Sequence, residues 1–308
     1  MVPRPVVRVL LPVLVTTSLL VTSGAAALTV DFPYRDAELL LPEQELGGRL
    51  WVPDDFVPKK TYQLIVLLHG LNQKGTLHPL LDPEGVDLAP VAAGLIAAQV
   101  VRPDFVIAAP TQSKDALKAR TLWTRFDLFH FLRAVRKAAP KGLKIGAKPV
   151  VAGHSGAGCD ENGGLWYLAR AHGGTLPAFV VMDTCASVEF GQTLWRHLWP
   201  RADDPEAVGR RGKSWLLHFW QPRWVRDIAG FEETMRFELM MVDGPRGTHL
   251  LKRNDRRWLS AQVDGTHSEM VAQIFEEALR RLYPTPPTLA ELQAELAAAQ
   301  AEKKRLLQ

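Results

Sequence analysis

Short, continuous apolar runs alternate along this chain with amphipathic stretches of helical period, and that alternation limits the fold more than any other feature. Residues 63–68, 105–109, 149–152, 178–182, 215–220 and 237–242 read as strands. A strand that is apolar on both faces must be covered on both, as in a parallel sheet with helices on either side. Residues 86–101, 122–139, 165–171 and 270–282 supply the helices. In the second of these, Phe126, Leu128, Phe131, Leu132 and Val135 share one side. Residues 48–53 read as an early strand, with residues 39–41 as its candidate partner. The pattern predicts an α/β fold built from βαβ units, with a mostly parallel central sheet flanked by helices.

The chain has 308 residues, 47% hydrophobic and 23% charged. It can bury one large core, and it is neither a disordered chain nor a coiled coil from end to end. Lys and Arg number 37 against 33 Asp and Glu, a net charge of +4 spread along the chain. So mild an excess argues against a nucleic-acid partner.

Both ends differ from the middle. Residues 1–8 carry Arg4 and Arg8 and no acid, residues 9–21 are apolar apart from Thr16, Thr17 and Ser18, and residues 22–27 are small. That is the order of a secretory signal peptide. Ala25 and Ala27 place cleavage after residue 27, leaving a domain over 28–283 that is secreted or periplasmic. The rival reading is an uncleaved anchor over the uncharged residues 9–30, which is the one route to a membrane. At the other end Pro284, Pro286 and Pro287 break the chain before a terminal helix over 288–308. Leu289, Leu292 and Leu296 follow coiled-coil spacing, but the pattern is brief. The expectation is a solvated helix docking on its own domain.

The stretch that carries chemistry is Gly153-His154-Ser155-Gly156-Ala157-Gly158, between the strand at 149–152 and a following helix. A serine on so tight a strand-to-helix turn forms a nucleophile elbow. Small flanking residues let the backbone take the strained conformation without collision. Ala157 stands where Gly-x-Ser-x-Gly has its last glycine. Without function, the same stretch is a glycine-rich turn. Upstream, Leu67-Leu68-His69-Gly70-Leu71 ends an earlier strand.

With these motifs the chain resembles an α/β-hydrolase-fold serine hydrolase, esterase- or lipase-like, over about residues 60–283. The resemblance implies the order nucleophile, acid, histidine. It implies that the amides of Leu71 and Gly156 form an oxyanion hole. Of nine histidines, it points to His267, because the final helix follows directly. His249, in a similar Gly-Thr-His loop, is the alternative base. Asp183 ends the strand after the elbow helix, which should neighbour the nucleophile strand. Asp243 is the alternative acid, and Asp264 is too near His267 in sequence to orient it. Ser155 would attack, the histidine would take its proton, and the acid would hold the imidazole tautomer.

There is no His-Glu-x-x-His, no cysteine pair at zinc spacing and no Walker or dinucleotide loop. No metal and no cofactor are therefore expected. Residues 184–213 exceed what one crossover helix requires and form a candidate cap insertion. Trp195 and Trp199 lie there at helical spacing, with Trp220 and Trp224 beyond. An aromatic cap would suit an apolar acyl or aromatic ester, whereas a tryptophan stripe packing on the domain is equally open. The leading function is an exported carboxylic ester hydrolase acting on a small-molecule or acyl-ester substrate. A serine peptidase or amidase, and a catalytically inactive envelope binding protein, are the alternatives. Cys159 and Cys185 fall at one edge of the sheet, where they either pair as a disulfide or remain two buried thiols.

Overall fold

The computed structural model describes residues 27–34, 46–72, 74–112, 122–185, 187–198, 214–221, 223, 227, 230, 258–263 and 265–306. The proposed signal segment up to residue 26, the strand candidates 39–41 and 237–242, Trp199, Trp224, Asp243, His249 and Asp264 lie outside the described residues.

Nine strands form one sheet: β1 (Leu28–Phe32), β2 (Gly48–Val52), β3 (Thr61–Leu68), β4 (Phe105–Pro110), β5 (Lys144–Ile145), β6 (Val150–His154), β7 (Ala178–Met182), β8 (Trp215–Trp220) and β9 (Trp258–Gln262). Their order is β1-β2-β4-β3-β6-β7-β8-β9, with β5 paired to the start of β3. From β4 to β9 every pairing is parallel, whereas β1 and β2 run antiparallel at one edge. Among the described residues the α-helices are α1 (Ala89–Ala97), α2 (Leu128–Ala138), α3 (Gly164–His172), α4 (Val188–Leu198), α5 (Glu269–Leu282) and α6 (Leu289–Leu306).

Alternation along β3 separates two cores. Leu64, Val66 and Leu68 face a core completed by α2, α3 and α4, while Ile65 and Leu67 face one completed by α1 and α5. Each fully buried Leu, Ile or Phe contributes about 1.5–3 kcal/mol, so covering both faces is the main stabilisation of the sheet. In α5, Met270, Val271, Ile274, Phe275, Ala278 and Leu279 form the buried stripe, and the opposite face carries Glu276–Arg280 and Glu277–Arg281 pairs.

Several elements depart from the sequence reading. β2 pairs antiparallel with β1 and β4. Leu28, Thr29 and Val30 therefore belong to the sheet and not to a span over 9–30. β9 was not foreseen, because Trp-Leu-Ser-Ala-Gln is neither a continuous apolar run nor a clean alternation. α1 is shorter than 86–101: Pro90 stands in its first turn, and Gln99, at φ 56°, ends it. α2 begins at residue 128, where the Asp127 side chain accepts the His130 N–H at 2.7 Å. The residues before it turn instead, with Trp123 and Arg125 at positive φ.

α4 is an ordinary flanking helix of the β7–β8 crossover. Its Phe190, Leu194 and Leu198 are fully buried, and Phe190 stacks 5.0 Å from Trp166 of α3. That part of 184–213 packs on a face of the sheet; residues 199–213 lie outside the described residues. In the terminal helix, Leu289, Leu292 and Leu296 are 72%, 47% and 59% exposed, and none of these three leucines is among the core residues. Among the described residues no helix is long and apolar enough to cross a membrane.

Candidate active site

Parallel register brings the carboxyl ends of four strands together. Leu68 of β3 lies opposite Gly153 of β6, and His154 of β6 opposite Met182 of β7. Two residues past Leu68 is Gly70, two past Gly153 is Ser155, and one past Met182 is Asp183. Residues far apart in sequence thus emerge side by side.

Ser155 has φ 54°, in the left-handed region that a serine rarely enters. Such a residue costs on the order of 1–3 kcal/mol and persists only where its surroundings dictate it. Here the surroundings are glycine backbones at close range. A Cβ on Gly70 would stand 2.4 Å from the Ser155 Cβ and 2.8 Å from its Oγ. On Gly156 it would meet Leu122 at 2.3 Å. At Gly70 a side chain would meet the Ser155 Cβ directly, and at Gly156 it would displace the tip of Leu122. Gly156 is also where the Leu71 amide arrives, since its missing Cβ would lie 3.5 Å from the Leu71 nitrogen. Leu71 and Gly156 are therefore neighbours, close to Ser155.

His69 orients the first of them. Its Nδ1–H donates to the Gly70 carbonyl at 2.7 Å, its Nε2 accepts the Gln112 N–H at 2.9 Å, and its own carbonyl accepts from Trp123 Nε1 at 2.8 Å. In a trans peptide the C=O and N–H point in opposite directions. Tying the Gly70 carbonyl toward His69 turns the Leu71 N–H away from it. This role was not legible in the sequence, where His69 reads only as the start of a turn.

The chain after Ser155 also differs from expectation. Residues 155–158 form a single 3-10 turn, and α3 starts only at Gly164. Between them the buried Asp160 carboxylate accepts the Asn162 N–H at 2.9 Å, and Gly163 bridges to Thr124. Cys159 therefore ends the turn and does not sit one turn into a helix. It is joined to Cys185 by a disulfide with a Cα–Cα distance of 4.8 Å. Its Sγ lies 3.6 Å from the Ser155 carbonyl oxygen; a disulfide sulfur has no proton, so this is a contact only. The bridge ties the turn after Ser155 to the loop after Asp183. Cross-linking residues 26 apart restricts the unfolded chain by about 3 kcal/mol. Reduction, or a Cys159→Ala/Cys185→Ala double variant, should lower the urea midpoint accordingly, with a larger m-value as the released unfolded chain exposes more surface. An unshifted midpoint would remove the bridge from the stability of the fold.

Asp183 is buried, at φ 47°. Its N–H donates to the Phe219 carbonyl at 2.8 Å, and its Oδ1 accepts the Gln221 N–H at 2.9 Å. Oδ2 meets His267 Nδ1 at 2.5 Å. A carboxylate only accepts, so in this bond Nδ1 carries the proton. His267 is half-buried in the loop between β9 and α5. That loop is stiffened by a reciprocal cap, in which Thr266 N–H and Oγ1 donate to Glu269 Oε2 and the Glu269 N–H returns to Thr266 Oγ1. The ring of His154 stacks on His267 with centroids 4.4 Å apart, and its Nε2 lies 3.2 Å from the His267 carbonyl. Asp183 and His267, 84 residues apart, are thus paired next to the residue that precedes Ser155. Asp243 and His249 lie outside the described residues.

Burial holds several histidines neutral. His69 and His78 are pushed down to about 4, and His154 and His218 to about 3, from an ordinary 6.5. Desolvation is the main cause at each, joined at His154 by the charge of His267 and at His78 by that of Arg49. Unfolded, these rings take up protons as the pH falls through 6.5; folded, they resist until about 4 or 3. The folded state therefore loses up to about 1.4 kcal/mol per pH unit for each ring across that window. Thermal unfolding should show the midpoint falling steadily from neutrality to pH 4. A flat midpoint would exclude neutral burial of these rings.

Among the described residues no group of three or more His, Cys, Asp or Glu is placed to hold a metal ion. The fold is that of the α/β hydrolases: a parallel sheet between two helical layers, with a strained serine after a central strand and an Asp–His pair at the same edge. Solved structures share this architecture at low identity. A serine-to-alanine mutant of the feruloyl esterase module from Clostridium thermocellum, complexed with sinapinate, is 14% identical over 85% of this chain and 90% of its own, with a TM-score of 0.53. A structure described as FAE is 14% identical over 83% of this chain and 87% of its own, with a TM-score of 0.50. An uncharacterised protein from Capnocytophaga ochracea is 12% identical over 87% of this chain and 68% of its own, with a TM-score of 0.50. No family model matches the chain, and no curated protein matches it. At such identities the likeness is one of fold.

Proposed function

We propose that this protein is an exported serine hydrolase that cleaves carboxylic esters, with Ser155 as nucleophile, His267 as base and Asp183 as acid. The observation that carries the reading is the buried Asp183 carboxylate on His267 Nδ1, beside a serine held at φ 54°. Serine is a weak nucleophile at its own pKa, so the reaction needs His267 Nε2 to take the Oγ proton as the bond to the acyl carbon forms. Asp183 keeps Nε2 free of its proton beforehand and stabilises the imidazolium afterwards. The Leu71 and Gly156 N–H groups receive the negative charge that develops on the carbonyl oxygen. His267 then returns the proton to the leaving alkoxide, and water repeats the cycle on the acyl-enzyme.

Esters are favoured over amides by the fold likeness to a feruloyl esterase module, whose complex with sinapinate makes hydroxycinnamoyl esters the first substrates to try. Export is supported by the basic, apolar and small-residue order of residues 1–27 and by a disulfide, a bond that persists outside the reducing cytosol. The test is a fluorophosphonate probe followed by peptide mapping. Labelling at Ser155, with turnover of short-chain, long-chain or hydroxycinnamoyl esters ahead of peptide amides, is the expected result. An unlabelled, folded protein would leave the inactive binding protein, and faster amide cleavage would make it a peptidase.

A further inference from the structure

Two side chains outside the three reacting groups hold the backbone of the base loop. Gln221 Nε2–H donates to the Gly265 carbonyl, and His154 Nε2–H to the His267 carbonyl at 3.2 Å. The loop needs such anchors. Gly265 has φ 131°, residues 265 and 266 are exposed, and the imidazole meets the Asp183 carboxylate at Nδ1. A hydrogen bond at a ring nitrogen orients the ring but does not by itself place the backbone that carries it.

The anchors come from the elements that carry the other two groups. His154 ends β6 and immediately precedes Ser155, so its bond refers the base loop to the nucleophile's own strand. Gln221 follows β8; its main-chain N–H holds Asp183 Oδ1 while its side chain holds Gly265, so it refers the base loop to the acid. The His154 ring is buried and packs against His267, tilted by 33° with centroids 4.4 Å apart, which limits its own freedom.

We propose that His154 and Gln221 are positioning residues that hold His267 in register with Ser155 and Asp183, an inference that rests on the serine hydrolase reading above. The chemistry of each group suits the task. A carbonyl only accepts, so His154 must present a protonated Nε2. Burial, with the neighbouring His267 and His69, keeps the ring otherwise unprotonated, at about 3. A charged ring 4.4 Å from His267 would oppose the imidazolium that forms during acyl transfer. Neutral His154 supplies the donor without that charge.

The experiment uses the full chain, a p-nitrophenyl ester and a fluorophosphonate probe. His154→Phe keeps the ring stack and removes the donor; His154→Gln restores an N–H near the Nε2 position; Gln221→Met removes the side-chain donor and keeps the main-chain bond to Asp183. Misplacing a reacting group by about 1 Å costs on the order of 100-fold. His154→Phe and Gln221→Met should therefore each lower kcat and the labelling rate about 10- to 100-fold, with KM and the thermal midpoint unchanged. His154→Gln should regain most of the loss. A purely structural role would instead lower the midpoint along with activity and give no rescue. Wild-type kcat in His154→Phe, or a His154→Gln variant as slow as His154→Phe, overturns the proposal. Should His154→Phe not fold, Gln221→Met decides it by the same readings. Active, labelled wild-type protein with unaffected variants sinks the positioning role alone, whereas wild-type protein that neither hydrolyses nor labels sinks the hydrolase reading and this inference with it.

Discussion

Replacing Ser155 by alanine is expected to lower kcat by about six orders of magnitude, the loss seen when a triad serine is removed, while the protein still folds. The second half of that expectation comes from the surroundings. Gly70 leaves room beside the Ser155 Cβ that a side chain there would take, and alanine keeps that Cβ. Alanine tolerates φ 54° no worse than serine does. Stability should therefore change by less than about 1 kcal/mol. The measurement is steady-state ester hydrolysis alongside urea unfolding. Activity retained by a folded Ser155→Ala protein would remove the nucleophile assignment and, with it, the proposed mechanism.

Asp183→Asn is expected to cost about 10,000-fold in kcat, again with the fold intact. Asparagine is among the residues that tolerate positive φ, so the backbone at 47° is retained. The side chain, however, cannot satisfy both of its partners. Oδ1 accepts from the Gln221 N–H and Oδ2 from His267 Nδ1–H. An amide has one acceptor oxygen. If the oxygen faces Gln221, the amide NH2 faces Nδ1, and the imidazole must move its proton to Nε2, where it can no longer accept one from serine. If the oxygen faces His267, the NH2 is pressed against the Gln221 N–H. The first arrangement avoids a donor–donor clash and is the inactive one. A pH–rate profile separates this from misfolding, since the wrong tautomer abolishes the base without moving the thermal midpoint. An Asp183→Asn variant within tenfold of wild type would transfer the role of acid elsewhere, with Asp243 the first residue to test.

Much of this architecture was legible in the chain because burial on both faces leaves a plain mark. β3, β4, β6, β7 and β8 are continuous apolar runs, and each was readable within a residue or two. The elements that escaped lie at the sheet's margins. β1 follows directly on the apolar amino-terminal run, and β9 alternates too weakly to stand out. A margin strand is covered less completely, so its composition is less constrained. The helix after the elbow was misread for another reason. Nothing in Cys159-Asp160-Glu161-Asn162 forbids a helix outright; Gly163 and the bond between Trp123 and Gly164 interrupt it through contacts with a segment some forty residues earlier.

The sequence by itself determined the α/β class, the serine on a strand-to-helix turn and a histidine before the last helix, because these depend on periodicity and on local turn chemistry. Only the tertiary structure decided which carboxylate meets that histidine, that Cys159 and Cys185 join, and that His69, His154 and Gln221 align the neighbouring backbone. The physical reason is register. Parallel pairing of β3, β6, β7 and β8 sets residues 70, 155, 183 and 221 at one edge, and no local propensity encodes which strand ends lie level. That level is fixed by side chains packing across the sheet, over separations of tens of residues.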